Sequence, residues 1–137
     1  MYSYVYFMLG YAYERIALDS TYKNCYSNNS EIMAVAYYNT YLELNLHKNY
    51  RARAFEGIAK VLSQKKDVGQ LQLALSIVDK GILEFPNSSN LYRLKGNIFL
   101  SLNLPNEAEK QYRIAIEKKS SKFLELYRAW VISCTAK

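Results

Sequence analysis

Apolar residues recur at spacings of three and four along the whole of this chain, which is the periodicity of amphipathic helices. In the first segment this spacing connects Val5, Met8, Leu9, Ala12 and Ile16. Six further segments follow the same period, and none shows the strict alternation between turn residues that is typical of strands. Only two prolines and five glycines occur in 137 residues, so few positions interrupt a helix. The pattern predicts an all-α fold.

The breaks between the segments carry the signals of helix ends. Residues 85–88, Phe-Pro-Asn-Ser, predict the end of one helix and the start of the next, because proline stops a helix and asparagine or serine caps one. Pro105 falls where the first turn of another helix is expected. Asn28 stands three residues before Glu31, a spacing that is typical of a capping box. Short joints of this kind are typical of antiparallel helix pairs.

Residues 92–120 combine small and aromatic residues at regular spacings. They read Tyr92-x2-Lys95-Gly96-x2-Phe99 and then Ala108-x3-Tyr112-x2-Ala115. This resembles the tetratricopeptide repeat, whose pattern is aromatic-x2-Leu-Gly-x2-Tyr, followed by Ala-x3-Phe-x2-Ala and a closing proline. Lys95 and Ser120 depart from that pattern. Small residues are expected where the two helices of a pair touch, since larger side chains would hold the backbones apart.

Two further stretches resemble the same repeat. Residues 6–13 match its first half around Gly10, and residues 34–41 form a looser second half after an insertion of about 12 residues. Residues 55–62 and 74–81 give another copy, with Pro86 at the closing position.

The resemblance implies one domain, 1–137, built from three tetratricopeptide-like hairpins and a C-terminal capping helix in a right-handed α-solenoid. Its repeats are expected at about 3–48, 49–88 and 89–120, with the capping helix at about 121–137. The chain is either this domain or a fragment of a longer array.

Few residues suit catalysis or metal binding. One histidine, His47, and two cysteines, Cys25 and Cys134, form no active-site or zinc motif, and the glycines form no phosphate-binding loop. We therefore expect a protein that is not an enzyme and uses no cofactor and no metal. Glu14 and Arg15 interrupt the apolar N-terminal run before it reaches the length of a membrane span, and no basic residue precedes that run as in a signal peptide. A cytoplasmic location is expected.

In the tetratricopeptide family, the first helix of each pair lines a concave groove that holds a peptide. By that resemblance the groove residues of this chain are Tyr4, Phe7, Tyr11, Arg53, Lys60, Arg93 and Asn97, with Glu14 beside them. The aromatic side chains would anchor apolar groups of a partner, the cations would attract an acidic stretch, and the asparagine would bind backbone. The expected function is non-catalytic binding of a protein or peptide with an apolar anchor and acidic neighbours, in a scaffold or adaptor role.

This assignment makes a specific expectation about the first helix. Its buried face should carry Tyr6, Leu9, Gly10 and Tyr13, which match the buried positions of the repeat. The other face, with Tyr4, Phe7 and Tyr11, should then be exposed toward the groove, because residues at spacings of three and four share one side of a helix.

Two other functions remain open from the sequence. The formal charge of +6 is uneven, since residues 1–50 sum to −1 and the remainder to +7. A basic C-terminal half is a feature of nucleic-acid binding, although no basic run exceeds two adjacent residues. A self-associating scaffold is the other alternative, with the groove filled by a neighbouring segment such as residues 22–30 or by a second copy.

Overall fold

The structure, a computed structural model, describes residues 2–19, 29–44, 49–64 and 67–119. The helices are α1 (Tyr2–Leu18), α2 (Asn29–Leu44), α3 (Arg51–Ser63), α4 (Val68–Glu84), α5 (Ser89–Ser101) and α6 (105–119). The described residues contain no strand, and the predicted all-α fold is confirmed. Several predictions lie outside the described residues: those on the cap Asn28, on His47, Cys25 and Cys134, and on the capping helix at about 121–137.

The helices pack as successive hairpins. α1 packs mainly against α2, and α3 packs mainly against α4. Contacts of α2 with α3 and of α4 with α5 join one hairpin to the next. α1 also contacts α3, and α3 contacts α5, so the first helices of the three hairpins are neighbours in one layer. Membership of the tetratricopeptide family, the repeat boundaries and the handedness of the stack stay predictions.

Tyrosine rings packed on glycine mark the crossing inside two of the hairpins. A Cβ atom added to Gly10 would lie 2.8 Å from the ring of Tyr38 on α2. A Cβ atom added to Gly96 would lie 2.7 Å from the ring of Tyr112 on α6. Both distances are well below the about 3.5 Å at which carbon atoms make contact. The prediction that Gly96 lies at a helix crossing is confirmed, and the first hairpin uses the same combination.

The core is centred on α3. Every residue of this helix from Ala54 to Ala59 is buried, because α3 contacts α1, α2, α4 and α5. Side chains from each side complete the core, among them Tyr41 of α2, Leu71 and Val78 of α4, and Leu91 and Ile98 of α5. Removing this apolar surface from water stabilises the fold by about 25 cal/mol for each Å² that is buried.

The joint between α5 and α6 shows how the sequence ends a helix. Asn103 adopts the left-handed conformation, with φ at 63°. The Leu104 N–H donates to the carbonyl of Phe99 at 2.9 Å, and the Asn103 N–H donates to that of Leu100 at 3.0 Å. This is the Schellman arrangement, which satisfies the last carbonyls of a helix. Pro105 then begins α6, as predicted, and the other proline lies in the joint between α4 and α5.

Candidate partner-binding surface

Aromatic rings from α1 and from the joint before α3 form a cluster at the first hairpin. The ring of Phe7 lies at its centre, with its centroid 4.7 Å from that of Tyr50 and 5.5 Å from that of Tyr41. Tyr4 lies 5.5 Å from Tyr50, and Tyr11 lies 6.4 Å from Phe7. These separations are typical of favourable aromatic pairs, which prefer about 4.5–7 Å. The structure therefore brings the three predicted aromatic residues of α1 together.

The expectation that all three aromatic residues are exposed is wrong for Phe7. Only 6% of Phe7 is exposed, against 39% of Tyr4 and 37% of Tyr11. Phe7 is enclosed because rings of α2 and the side chain of Tyr50 pack around it. Tyr4 and Tyr11 lie on either side of this buried ring. Tyr4 and Tyr11 keep the exposure that a binding role requires, whereas the buried ring of Phe7 packs against both of them.

The buried face of α1 is also rotated from the expected one. Its residues are Ser3, Phe7, Gly10, Glu14 and Ala17. Of the four residues predicted to be buried, Gly10 is buried, Tyr6 and Tyr13 are half-buried, and Leu9 is exposed. The physical reason is that α1 is apolar on nearly every side, so periodicity alone did not determine which side faces the core.

An ion pair between buried Glu14 and half-buried Arg53 joins α1 to α3 beside the aromatic rings. The carboxylate of Glu14, only 2% exposed, accepts hydrogen bonds from two nitrogens of Arg53. Arg53 Nη2 lies 2.7 Å from Oε2, and Nη1 lies 3.0 Å from Oε1. The hydroxyl of Tyr38 also donates to Oε1, at 3.0 Å. The Glu14 carboxylate thus receives two donors from α3 and one from α2, a bidentate geometry that fixes orientation as well as distance.

Burial and charge shift the pKa values of both partners of Glu14. Burial raises the pKa of the Tyr38 hydroxyl far above its usual range, and the negative charge of Glu14 raises it further. The hydroxyl therefore stays protonated and remains a donor. Burial lowers the pKa of the Arg53 guanidinium, but the hydrogen bonds and charge of Glu14 outweigh that effect, so the net pKa is raised.

The sequence of α3 leaves room for this cluster. A Cβ atom added to Gly57 would collide with Oε1 of Glu14 and would lie 2.5 Å from the ring of Tyr38. Arg53, one turn earlier on the same helix, places its guanidinium over the ring of Tyr11, with Cζ 5.5 Å from the centroid. Arg53 therefore connects the buried carboxylate to an exposed aromatic ring.

The remaining predicted residues lie further along α3 and α5. Lys60 is half-buried on α3, and Arg93 and Asn97 are exposed on α5. The amide oxygen of Asn97 accepts a hydrogen bond from the hydroxyl of Tyr112 on α6. The two helices that carry these side chains, α3 and α5, are neighbours in the layer of first helices. The structure thus brings Tyr4, Phe7, Tyr11 and Arg53 together, whereas Lys60, Arg93 and Asn97 lie further along α3 and α5.

Sequence reasoning missed two features of this surface. Tyr50 supports both Phe7 and Tyr4, but it lies in a joint, where helical periodicity gives no information. The pairing of Glu14 with Arg53 was also missed. Its signal was present, since opposite charges had been assigned to the same layer on consecutive first helices. The sequence predicts that Arg53 pairs with an acidic partner, and the structure shows that it already pairs with the carboxylate of Glu14.

A separate pocket of about 590 Å³ lies between α2, α3 and the start of α4. Ile32, Val35, Val61 and Leu62 supply most of its apolar lining, and Glu31, Asn39 and Gln70 are among its polar residues. None of the predicted groove residues lines this pocket. The aromatic rings and the pocket are therefore two distinct features of the molecule.

No protein-family model matches the chain, and no curated protein proved similar to it. None of the described helices has the length and apolar character needed to cross a membrane. Within the described ranges, no three His, Cys, Asp or Glu side chains are grouped so that they could hold a metal ion.

Proposed function

We propose that this chain is a non-catalytic tetratricopeptide-like module that binds a segment of another protein along α1, α3 and α5. The observation that carries the proposal is the pair of exposed rings, Tyr4 and Tyr11, on either side of buried Phe7. We call these three residues the aromatic patch. Exposed aromatic groups that are clustered in this way usually mark an interaction site, and such residues supply much of the binding energy of interfaces.

The aromatic patch is held in place before any partner arrives. Tyr4 packs against Tyr50, and Tyr11 lies between Phe7 and the guanidinium of Arg53. Because these contacts already restrict the two exposed rings, little side-chain freedom is lost on binding. A partner that presents an apolar side chain would therefore gain most of the contact energy of the rings.

The positive charges of this surface suggest which residues the partner carries next to its apolar anchor. The positive charge of Arg53 is compensated by Glu14, so attraction of an acidic segment falls mainly to Lys60 and Arg93. Lys60 lies about two turns after Arg53 on α3, and Arg93 lies about one turn before Asn97 on the neighbouring helix α5. The proposed partner is a segment with an apolar anchor and acidic residues next to it, in a scaffold or adaptor setting in the cytoplasm.

A fluorescein-labelled peptide library tests the proposal. Its members carry one Leu or Phe anchor and a run of Glu at varied distances, and binding is measured by fluorescence polarisation. For the best binder, Tyr11→Ala should lower affinity about thirtyfold, because truncation of an aromatic hot spot costs about 2 kcal/mol. Arg93→Glu should slow association and reduce its dependence on salt. Leu83→Ala removes an exposed apolar side chain of α4 and should leave affinity unchanged.

Two results would contradict the proposal. One is a best binder whose affinity is the same for wild type and Tyr11→Ala. The other is a library without a binder, together with an oligonucleotide that binds with a steep loss of affinity as salt rises, since that dependence is typical of phosphate contacts. The second result would favour nucleic-acid binding through the basic half.

A further inference from the structure

The side of α1 that faces away from the core is almost entirely apolar. Its residues are Val5, Met8, Leu9, Ala12 and Ile16, which we call the outer face of α1. Val5 is 51% exposed and Met8 44% exposed, while Leu9 and Ala12 are exposed and Ile16 is half-buried. The spacings of three and four place all five on one side of the helix. This is the same apolar series that gives the first segment of the sequence its helical period.

None of the other described helices covers the outer face of α1. The ones that contact α1 are α2 and α3, and they pack on the side of Phe7, Gly10 and Glu14. A helix that is apolar on nearly every side is normally buried. The outer face of α1 therefore has the composition of an interface rather than of a solvated surface.

We propose that a second copy of this chain packs on the outer face of α1, with the two α1 helices antiparallel around a two-fold axis. A two-fold contact requires a surface that is complementary to itself. In the antiparallel arrangement, Val5 lies opposite Ile16 of the second copy, and Leu9 lies opposite Ala12. A large side chain thus meets a small one at the centre, which is how packed helices interdigitate.

The distribution of charge favours a second copy at this end of the molecule. Residues 1–50 carry a formal charge of −1, whereas the remainder carries +7. A contact through α1 joins two nearly neutral ends and keeps the two basic halves apart. Any contact between the basic halves would instead bring like charges together, which is unfavourable.

The size of the outer face predicts a weak and reversible dimer. α1 has 17 residues, and a helix of that length is about 26 Å long at about 1.5 Å per residue. A single helix pair of this length buries less than the about 800 Å² per partner of a standard stable interface. We therefore expect a dimer that forms between about 10 and 200 µM and separates on dilution.

Light scattering on the full chain across that concentration range tests the proposal. The mass should rise from 15.9 kDa toward twice that value. Leu9→Lys and Ala12→Glu should each remain monomeric at the highest concentration, because each places a charge opposite an apolar residue. Leu83→Glu, at an exposed position of α4, should associate as wild type does. Circular dichroism melting checks that each variant is folded. If a charged variant does not fold, Val5→Ser is a milder substitution on the same face.

Mixing the two charged variants tests the antiparallel arrangement itself. In a mixed dimer, Lys at position 9 of one chain lies opposite Glu at position 12 of the other, so the mixture should dimerise although neither chain does so alone. A mixture that remains monomeric would overturn the antiparallel pairing. A wild type that stays monomeric at about 200 µM would overturn the dimer. Two results with a monomeric wild type would show that something else covers the outer face of α1. Loss of binding to vesicles of anionic lipid in the charged variants would indicate contact with lipid. A lowered melting temperature of these variants would indicate contact with another segment of the chain.

Discussion

The first and third hairpins use the same crossing and differ in what surrounds it. In both, a tyrosine ring packs on a glycine: Tyr38 on Gly10, and Tyr112 on Gly96. In the first hairpin the tyrosine is fully buried, and its hydroxyl donates to the buried carboxylate of Glu14. In the third the tyrosine is half-buried, and its hydroxyl donates to the exposed amide of Asn97.

The same packing of tyrosine on glycine therefore has a buried polar network around it in the first hairpin and an exposed hydrogen bond in the third. Around Tyr38, the hydroxyl, the carboxylate of Glu14 and the guanidinium of Arg53 satisfy one another and tie α1, α2 and α3 into one unit. The ion pair adds little net stability, because buried Glu14 loses its water, but removal of Arg53 leaves the buried carboxylate without its cation and is strongly unfavourable. Around Tyr112 the polar partner is exposed, so water can replace it. The first hairpin should therefore be the more sensitive to substitution.

The largest effect is expected at Gly57. In Gly57→Ala, the new methyl group meets the carboxylate of Glu14 and the ring of Tyr38, so movement of either one disturbs the ion pair with Arg53 or the hydrogen bond from Tyr38. We expect the free energy of unfolding to fall by about 3 kcal/mol or more, which combines overpacking with damage to a buried charge. Urea denaturation measures it.

Gly69→Ala is the matched control for that substitution. The nearest atom to a Cβ at Gly69 is a carboxylate oxygen of Asp67 at 3.5 Å, which is ordinary contact, and Gly69 is exposed on α4. Alanine also favours helix over glycine by up to about 1 kcal/mol. Gly69→Ala should thus be as stable as wild type or slightly more stable. Equal loss of stability in both variants would contradict the close packing at Gly57.

The next effect compares the two equivalent glycines directly. Alanine at Gly10 and alanine at Gly96 both approach a tyrosine ring within 3 Å. The ring of Tyr38 is enclosed and held by its hydrogen bond, whereas the ring of Tyr112 can turn toward solvent. We expect Gly10→Ala to cost about 2 kcal/mol and Gly96→Ala about 1 kcal/mol or less. Thermal melting of the two variants side by side would show whether this order holds or is reversed.

The smallest effect concerns the two hydroxyl groups. Tyr38→Phe removes one of three donors to Glu14 and should lower the free energy of unfolding by about 1–2 kcal/mol, because a hydrogen bond to a buried charge is lost. Tyr112→Phe removes a donor to an exposed amide and should change it by less than about 0.5 kcal/mol. If the free energy of unfolding fell by a similar amount in both variants, burial would make no difference to what the tyrosine hydroxyl contributes.

The raised pKa of Tyr38 adds a dependence on pH. The folded protein holds this hydroxyl protonated well above the pKa of 10.0 that tyrosine has when exposed. The stabilising contribution is therefore complete below pH 10 and decreases as pH rises above it, when the unfolded chain loses the proton first. Urea denaturation between pH 9 and about 11 should show a steeper loss of stability for wild type than for Tyr38→Phe. Parallel profiles would contradict the burial of this hydroxyl.

The sequence predicted those parts of the fold that depend on local signals. The helix joints at Pro86 and Pro105 followed from helix-end chemistry, and Gly96 followed from the repeat spacing, whereas the expected cap of α5 by the Ser88 side chain makes no hydrogen bond. It did not predict the rotation of α1, because Val5, Leu9 and Phe7 offer apolar side chains on every side, and only tertiary contacts select among them. It also did not predict the role of Tyr50, since contacts across a joint leave no periodicity in the sequence.

The central claim is that the ion pair at buried Glu14 stabilises the packing of the first hairpin on α3. Two double-mutant cycles test this most directly, one on Glu14 and Arg53 and one on Glu109 and Arg113. Both pairs have a nitrogen–oxygen distance of 2.7 Å, but Glu109 and Arg113 are exposed on α6. With carboxylates changed to Gln and arginines to Met, urea denaturation gives the coupling energy of each pair. We predict about 2 kcal/mol or more for Glu14–Arg53 and about 0.5 kcal/mol or less for Glu109–Arg113. Coupling energies of equal size in the two pairs would contradict the account.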